Sequence, residues 1–227
     1  MRATAKLLVF CITGIAAFSS AAVQAETDPL SLYGPRAQYD IFRDGLPVGK
    51  QVMRFGREDG FLKIQADMSL EVKFMMFPVY DFSYQSEETW DGSTLVRLSA
   101  RIEENDDRRE INAMRRGKTL QIKSPDGTNN IPGPIFTTNH WNAAVTEQNQ
   151  VLNTLTGNLN KVTITNAGQE WIEAEGRKIK ATRYVYSGEL DTQVWYDRQG
   201  RWVALQFQAS DGSTIQYRCR QCLGHLS

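Results

Sequence analysis

Residues 61–73 alternate, though imperfectly: Leu62, Ile64, Ala66, Met68, Leu70 and Val72 fall on one side, and Lys63, Gln65, Asp67, Ser69, Glu71 and Lys73 on the other. A side-chain period of two belongs to a β-strand with one buried face and one wet face. A helix of period 3.6 would scatter the same residues around its whole circumference. The punctuation around this segment is of hairpin type, with Asp44-Gly45, Glu58-Asp59-Gly60, Asp91-Gly92 and Pro125-Asp126-Gly127 as turns. They delimit strands over residues 38–43, 48–55, 80–90, 95–102, 110–114 and 118–123. A second series occupies 161–165, 169–174, 178–187, 191–197, 201–209 and 213–219. Its breaks are Asn166-Ala167-Gly168, Glu175-Gly176, Arg198-Gln199-Gly200 and Asp211-Gly212. The expected fold is all-β or β-dominated: a single curved antiparallel sheet, half-barrel or barrel-like, with one short helical crossover.

The crossover is residues 132–157, the one extended region without a strand pattern. Pro132-Gly133-Pro134 cannot enter a helix or a central strand. Thr137, Thr138 and Asn139 are good N-caps, so a short helix is expected over 140–147. The segment carries His140, one of two histidines in the chain, next to Trp141. An imidazole titrates near neutrality and can serve as a general base. Catalysis also needs a nucleophile or carboxylate partner, which no motif supplies. The simpler reading is that His140 and Asn142 tie down backbone while Trp141 packs on the sheet.

The first 25 residues read as a signal peptide: Arg2 and Lys6 precede an apolar core over 7–17, and Val23-Gln24-Ala25 offers small residues for cleavage. That core is shorter than the ~20 residues a spanning helix needs. Bulky Phe10 before Cys11 argues against lipidation there. Cleavage after Ala25 leaves 202 of 227 residues, 26–227, as one β-rich domain, periplasmic or secreted. Loss of Arg2 and Lys6 takes the basic count from 26 to 24 against 26 acids. Such a near-neutral chain without a polybasic run offers nucleic acid no footprint. No second apolar run reaches membrane-spanning length, so no transmembrane segment is expected in the mature chain. With no phosphate loop, dinucleotide motif or zinc-ligand spacing, no cofactor or metal is expected.

Other candidate sites are weighed against packing. The cluster Phe74-Met75-Met76-Phe77-Pro78 is either core at a strand corner or a greasy lip on a ligand cavity. The charged run 103–109 lacks the order and the glycine of a calcium loop and reads as a solvated hairpin tip. Trp195 and Tyr196 must face opposite sides of a regular strand. With Trp202 and Asp197 they would suit a sugar if exposed, and cross-strand packing if not. Cys219 and Cys222 allow a structural disulfide, a redox pair, or half of a metal site completed by His225. The pair follows a strand and too little chain remains for a helix, which disfavours the redox reading. An oxidising compartment favours the disulfide.

The segments Tyr39-Asp40-Ile41-Phe42 with Gly45 and Gly49, Asn139-His140-Trp141-Asn142, 152–157 and Trp195-Tyr196-Asp197 through Gly200-Arg201-Trp202-Val203 resemble a family of exported bacterial proteins known only as a domain of unknown function. The layout is also similar to lipoprotein-carrier half-barrels, whose curved sheet cups an apolar ligand. The first resemblance implies an uncharacterised periplasmic β-sheet protein and brings no catalytic residues. The functional expectation is a non-catalytic binding or envelope-maintenance module for an apolar or amphipathic ligand or an envelope component. Its candidate ligand-binding residues are His140, Trp141, Trp195, Tyr196 and Trp202. The alternatives are an enzyme acting on envelope glycans or lipids through His140, and a structural protein-interaction module.

Overall fold

In the computed structural model, residues 28–74 and 77–224 are described. The leader 1–25, Cys11, Met75 and Met76 of the apolar cluster, and His225 lie outside the described residues, and with them the readings that depend on them.

Eight antiparallel strands follow one another by short turns: β1 (Arg36–Arg43), β2 (Leu46–Glu58), β3 (Phe61–Phe74), β4 (Phe77–Asp91), β5 (Thr94–Glu104), β6 (Asp107–Arg116), β7 (Thr119–Ser124) and β8 (Gly127–Pro132). The chain then crosses over, and β9 (Gln150–Leu152) opens a second meander. It continues through β10 (Leu159–Ala174), β11 (Arg177–Gly188), β12 (Thr192–Asp197), β13 (Trp202–Gln208) and β14 (Thr214–Gln221). The last strand pairs with the first, from Gln38 opposite Gln221 to Arg43 opposite Ile215. One 14-stranded sheet results, ordered β8 to β1 and then β14 back to β9.

The sheet is curved and is not closed by hydrogen bonds. β8 and β9 are its edges, and the crossover joins one edge to the other. Strands that are not hydrogen-bonded to each other also touch: the Tyr217 hydroxyl of β14 contacts Met68 Sδ of β3, with two strands between them, at 2.8 Å. Gly157, just past β9, lies so close to β7 that an added Cβ would come within 2.8 Å of Ser124 Cβ. Its φ of +78° also favours glycine.

The long alternation does what period two requires. Leu62, Ile64, Ala66 and Met68 are buried, while Lys63, Gln65, Asp67 and Ser69 stay at least partly in contact with solvent. Three local expectations are corrected. The helix expected over 140–147 is a 3-10 turn, Ala143–Glu147, capped by Asn142, whose side chain accepts from the Ala144 N–H. His140 stands before it with φ +56°, a left-handed conformation that no helix can start from. Asn166-Ala167-Gly168 is a bulge inside the continuous β10 rather than a turn, because β11 keeps pairing on both sides of it. The run 103–109 is mostly strand, turning only at Asn105-Asp106, with ion pairs Glu103–Arg108 (2.6 Å) and Glu104–Arg109 (2.8 Å). Three elements were not expected, β9 inside the crossover among them. A short helix α1 (Pro29–Tyr33) is capped by Asp28, and the polar edge strand β8 is made by pairing with β7.

Candidate functional site

A segment buried inside a sheet brings backbone polar groups that must find partners. Here inward-pointing tyrosines supply them. The Tyr196 hydroxyl donates to the His140 carbonyl (2.9 Å) and the Tyr33 hydroxyl to the Trp141 carbonyl (2.8 Å). Tyr33 in turn accepts from the Trp202 N–H (2.8 Å), and the Tyr39 hydroxyl donates to the Trp202 carbonyl (2.9 Å). Further along, the crossover joins β9 through Leu152, whose N–H donates to Phe136 (2.8 Å) and whose carbonyl accepts from Thr138 (3.0 Å). Ile135, Phe136, Trp141 and Val145 are buried. The crossover is therefore the filling of the barrel.

At the centre of this filling is Glu88 of β4, fully buried. Its carboxylate accepts from Trp90 Nε1 (2.8 Å), Trp141 Nε1 (3.1 Å) and Asn139 Nδ2 (2.7 Å). Asn139 passes the network on by accepting from the Tyr84 hydroxyl (3.0 Å). Desolvation raises the Glu88 pKa above its ordinary value, and hydrogen bonds from Thr137, Trp90, Asn139 and Trp141 act against that rise. Burial also pushes Tyr84 up to about 12. Sequence reading missed Glu88. The only available signal was a carboxylate two residues before a tryptophan, on the apolar side of a strand.

Beside this network lies a cavity of about 180 Å³, lined from β2, β3, β4, β12, β13, β14, the turn between β11 and β12, and the crossover. Met68, Leu155, Leu190, Trp202, Phe207 and Tyr217 form its apolar wall, and Asp191 stands exposed at its rim. His140 reaches the cavity, yet its Nδ1 is buried without a hydrogen-bond partner. Tyr186 meets the imidazole edge-on at 5.8 Å and Trp202 lies 6.0 Å from it. Burial depresses the His140 pKa to about 3, so the ring is neutral across the physiological range.

The candidate residues are therefore only partly brought together. His140 and Trp202 line the cavity; Trp141 stands behind it, edge-on to Trp90 at 5.3 Å. Tyr196 holds the His140 backbone from below. Trp195 faces the opposite side of β12 and donates to Glu170. There it borders a groove of about 520 Å³ under the tip of the β10–β11 hairpin. Much of that groove is already engaged: Asp40 binds Arg220 (3.2 Å), and Arg218 stacks on Phe42 at 4.2 Å. No exposed aromatic platform forms around Asp197, since Trp195, Tyr196 and Trp202 are all buried. Asp197 is itself buried and paired with Arg201 (2.6 Å), and Arg201 bonds the Leu223 carbonyl.

Cys219 and Cys222 stand at disulfide distance, with Sγ atoms 2.05 Å apart. Glu175 approaches both closely enough to be a third metal ligand. Its carboxylate is nevertheless taken up by the N–H groups of Cys222 (2.7 Å) and Leu223 (2.8 Å) and by Arg177 (2.9 Å). That set explains its proximity without an ion.

Residues 39–220 match the family model described as a domain of unknown function, DUF6134. The chain belongs to this family. Among solved structures it is similar to a β-barrel-like protein of another domain of unknown function, DUF1849, from Brucella abortus. The two share 10% identity with a TM-score of 0.59, over 84% of this chain and 97% of that one. Identity this low carries the fold and no function. No curated protein matches the sequence.

Proposed function

We propose that this protein is an exported, non-catalytic binding module, periplasmic or secreted, that holds the apolar part of an amphipathic ligand or envelope component. The observation that carries the reading is the cavity beside His140, apolar-walled and built where the crossover meets both halves of the sheet. Its 180 Å³ is below the roughly 300–1,000 Å³ of pockets that engulf a whole small molecule. It is close to the ~150 Å³ of an apolar cavity able to hold benzene. The buried part of the ligand is thus a ring or a short chain, not a whole lipid. Export is supported by the leader 1–25, and it would place the module among envelope components.

The enzymatic alternative rests on His140 as base. Among the described residues no carboxylate hydrogen-bonds its ring, and a base whose conjugate acid has a pKa of about 3 takes up protons poorly at neutral pH. The deciding experiment is a thermal-shift series with 1-alkanols of increasing length, run beside esterase and glycosidase assays on the mature protein. Stabilisation that rises with chain length and then levels off is expected, without turnover. Turnover abolished by His140→Ala would replace this reading with the enzymatic one.

A further inference from the structure

The cavity contains an anomaly that an apolar pocket alone does not explain. Along β2, Gln51, Met53 and Phe55 point to the core side, and Gln51 is only 6% exposed. A glutamine at such a position is expected to use its amide in hydrogen bonds. Among the described residues, the Gln51 side chain has no hydrogen-bond partner, and it lines the same cavity as His140. His140, 4% exposed, lines it too, and the imidazole Nδ1 is sealed from solvent without a partner. Four of the other polar side chains nearby are committed. The Tyr84 hydroxyl donates to Asn139, Thr192 Oγ1 to the Gln206 carbonyl (3.1 Å), and Thr138 Oγ1 lies 3.2 Å from Thr154 Oγ1. Two unpartnered hydrogen-bonding side chains thus line one small cavity, with the Gln51 amide open to it.

No charged side chain lines the buried part of the cavity. The only charged residue lining it is Asp191 at the rim, whose carboxylate accepts from the Gly188 N–H (3.3 Å). An anionic head group would be desolvated with no counter-ion and would pass a carboxylate on the way in. A cationic one could rest at Asp191, but only with its charge outside and the two idle groups unused.

We propose that Gln51 and His140 form a recognition pair for an uncharged polar head group, amide or hydroxyl, attached to a ring or short chain. The amide of Gln51 both donates and accepts, and the neutral imidazole provides one further bond, so a primary amide or an alcohol satisfies both. This inference rests on the binding reading above and specifies its ligand class.

The test uses four probes of one shape, benzamide, benzyl alcohol, benzoate and benzylamine, titrated into the full mature protein and followed by NMR. Reporters are the Met68 methyl, the Trp202 indole and the Gln51 side-chain amide. The two neutral probes should shift all three, and benzoate should bind at least about tenfold more weakly. Gln51→Leu should weaken the neutral probes roughly fivefold while leaving benzylamine unchanged. Because Gln51 makes no side-chain hydrogen bond, this variant should fold, which its unperturbed spectrum checks. His140→Asn, which tolerates the left-handed backbone, provides a second variant and should weaken the same two probes. Benzoate binding as tightly as benzamide, or neutral probes indifferent to Gln51→Leu, would overturn the head-group assignment and leave the cavity standing. If none of the probes moves Met68 or Trp202, both the assignment and the binding reading fall.

Discussion

Glu88 and His140 are neighbours in the filling of the barrel, and they respond to protons in opposite directions. Removing the Glu88 carboxylate leaves two indole N–H groups and an amide without an acceptor in a dry interior. Glu88→Ala should therefore destabilise the protein by about 3–5 kcal/mol, measured by chemical denaturation. His140 is ordinary at 6.5 in an unfolded chain and depressed to about 3 when buried, so protons bind the unfolded state more readily. Its contribution is fully present above pH 6.5 and is lost as the pH falls toward 3, to an extent of at most about 5 kcal/mol. The groups around the ring do not reverse this sign. Tyr84, Tyr186 and Tyr217 are held neutral by burial, and Asp191 stands exposed at the rim. Glu88, with its raised pKa, acts the other way and loses stability as the pH rises. His140→Asn should flatten the acid limb of a stability–pH curve between pH 6.5 and 4; an unchanged limb would mean the ring is hydrated.

At the scale of elements, the crossover is held by packing and by borrowed hydroxyls rather than by helix. Trp141 is buried, lies edge-on to Trp90 and binds Glu88, so Trp141→Ala should cost about 3–5 kcal/mol. His140→Ala, which removes no hydrogen-bonded side chain, should cost distinctly less in the same denaturation experiment. Equal small losses from both would make the crossover a surface loop. At the other end of the chain, the strand β14 is secured three times: by pairing with β1 and β13, by Glu175 capping Cys222 and Leu223, and by Arg201 on the Leu223 carbonyl. The loop closed between Cys219 and Cys222 is short and restricts the unfolded chain little. The double variant Cys219→Ser, Cys222→Ser should consequently lose only about 1 kcal/mol or less, and the unvaried protein lacking residues 1–25 should show no free thiol by non-reducing mass spectrometry. Two free thiols would break the assignment.

The described residues form one sheet with two edges, bridged by the crossover. Because that crossover fills the concave side, its amides should exchange hydrogen as slowly as those of the central strands. Hydrogen-exchange mass spectrometry over residues 135–152 would check this, and exchange within seconds would show the filling to be mobile. The strands themselves were legible from the sequence because alternation and turn residues are local signals: Leu62 to Leu70 sort by face whatever surrounds them. Near-neutral charge and the crossover's position were equally readable from local composition. The helix expected at His140 was not, because the caps that suggested it serve tertiary partners. Asn139 reaches Glu88, and the His140 backbone turns left-handed to give its carbonyl to Tyr196. The polar strand β8 could not be read either, since Thr128, Asn129 and Asn130 acquire strand geometry only by pairing with β7. Nor could any local pattern show that Gln51 would be left idle in the core, or that Trp195 and Trp202 would face different cavities. The sequence by itself determined most of the strand segments and which face of each avoids water, because that information has a range of a few residues. Only the tertiary structure decided that β14 meets β1, that tyrosines 33, 84 and 196 serve a buried loop, and that two polar side chains line one apolar-walled cavity. Those contacts join residues far apart in the chain, and their formation depends on how the whole sheet curves.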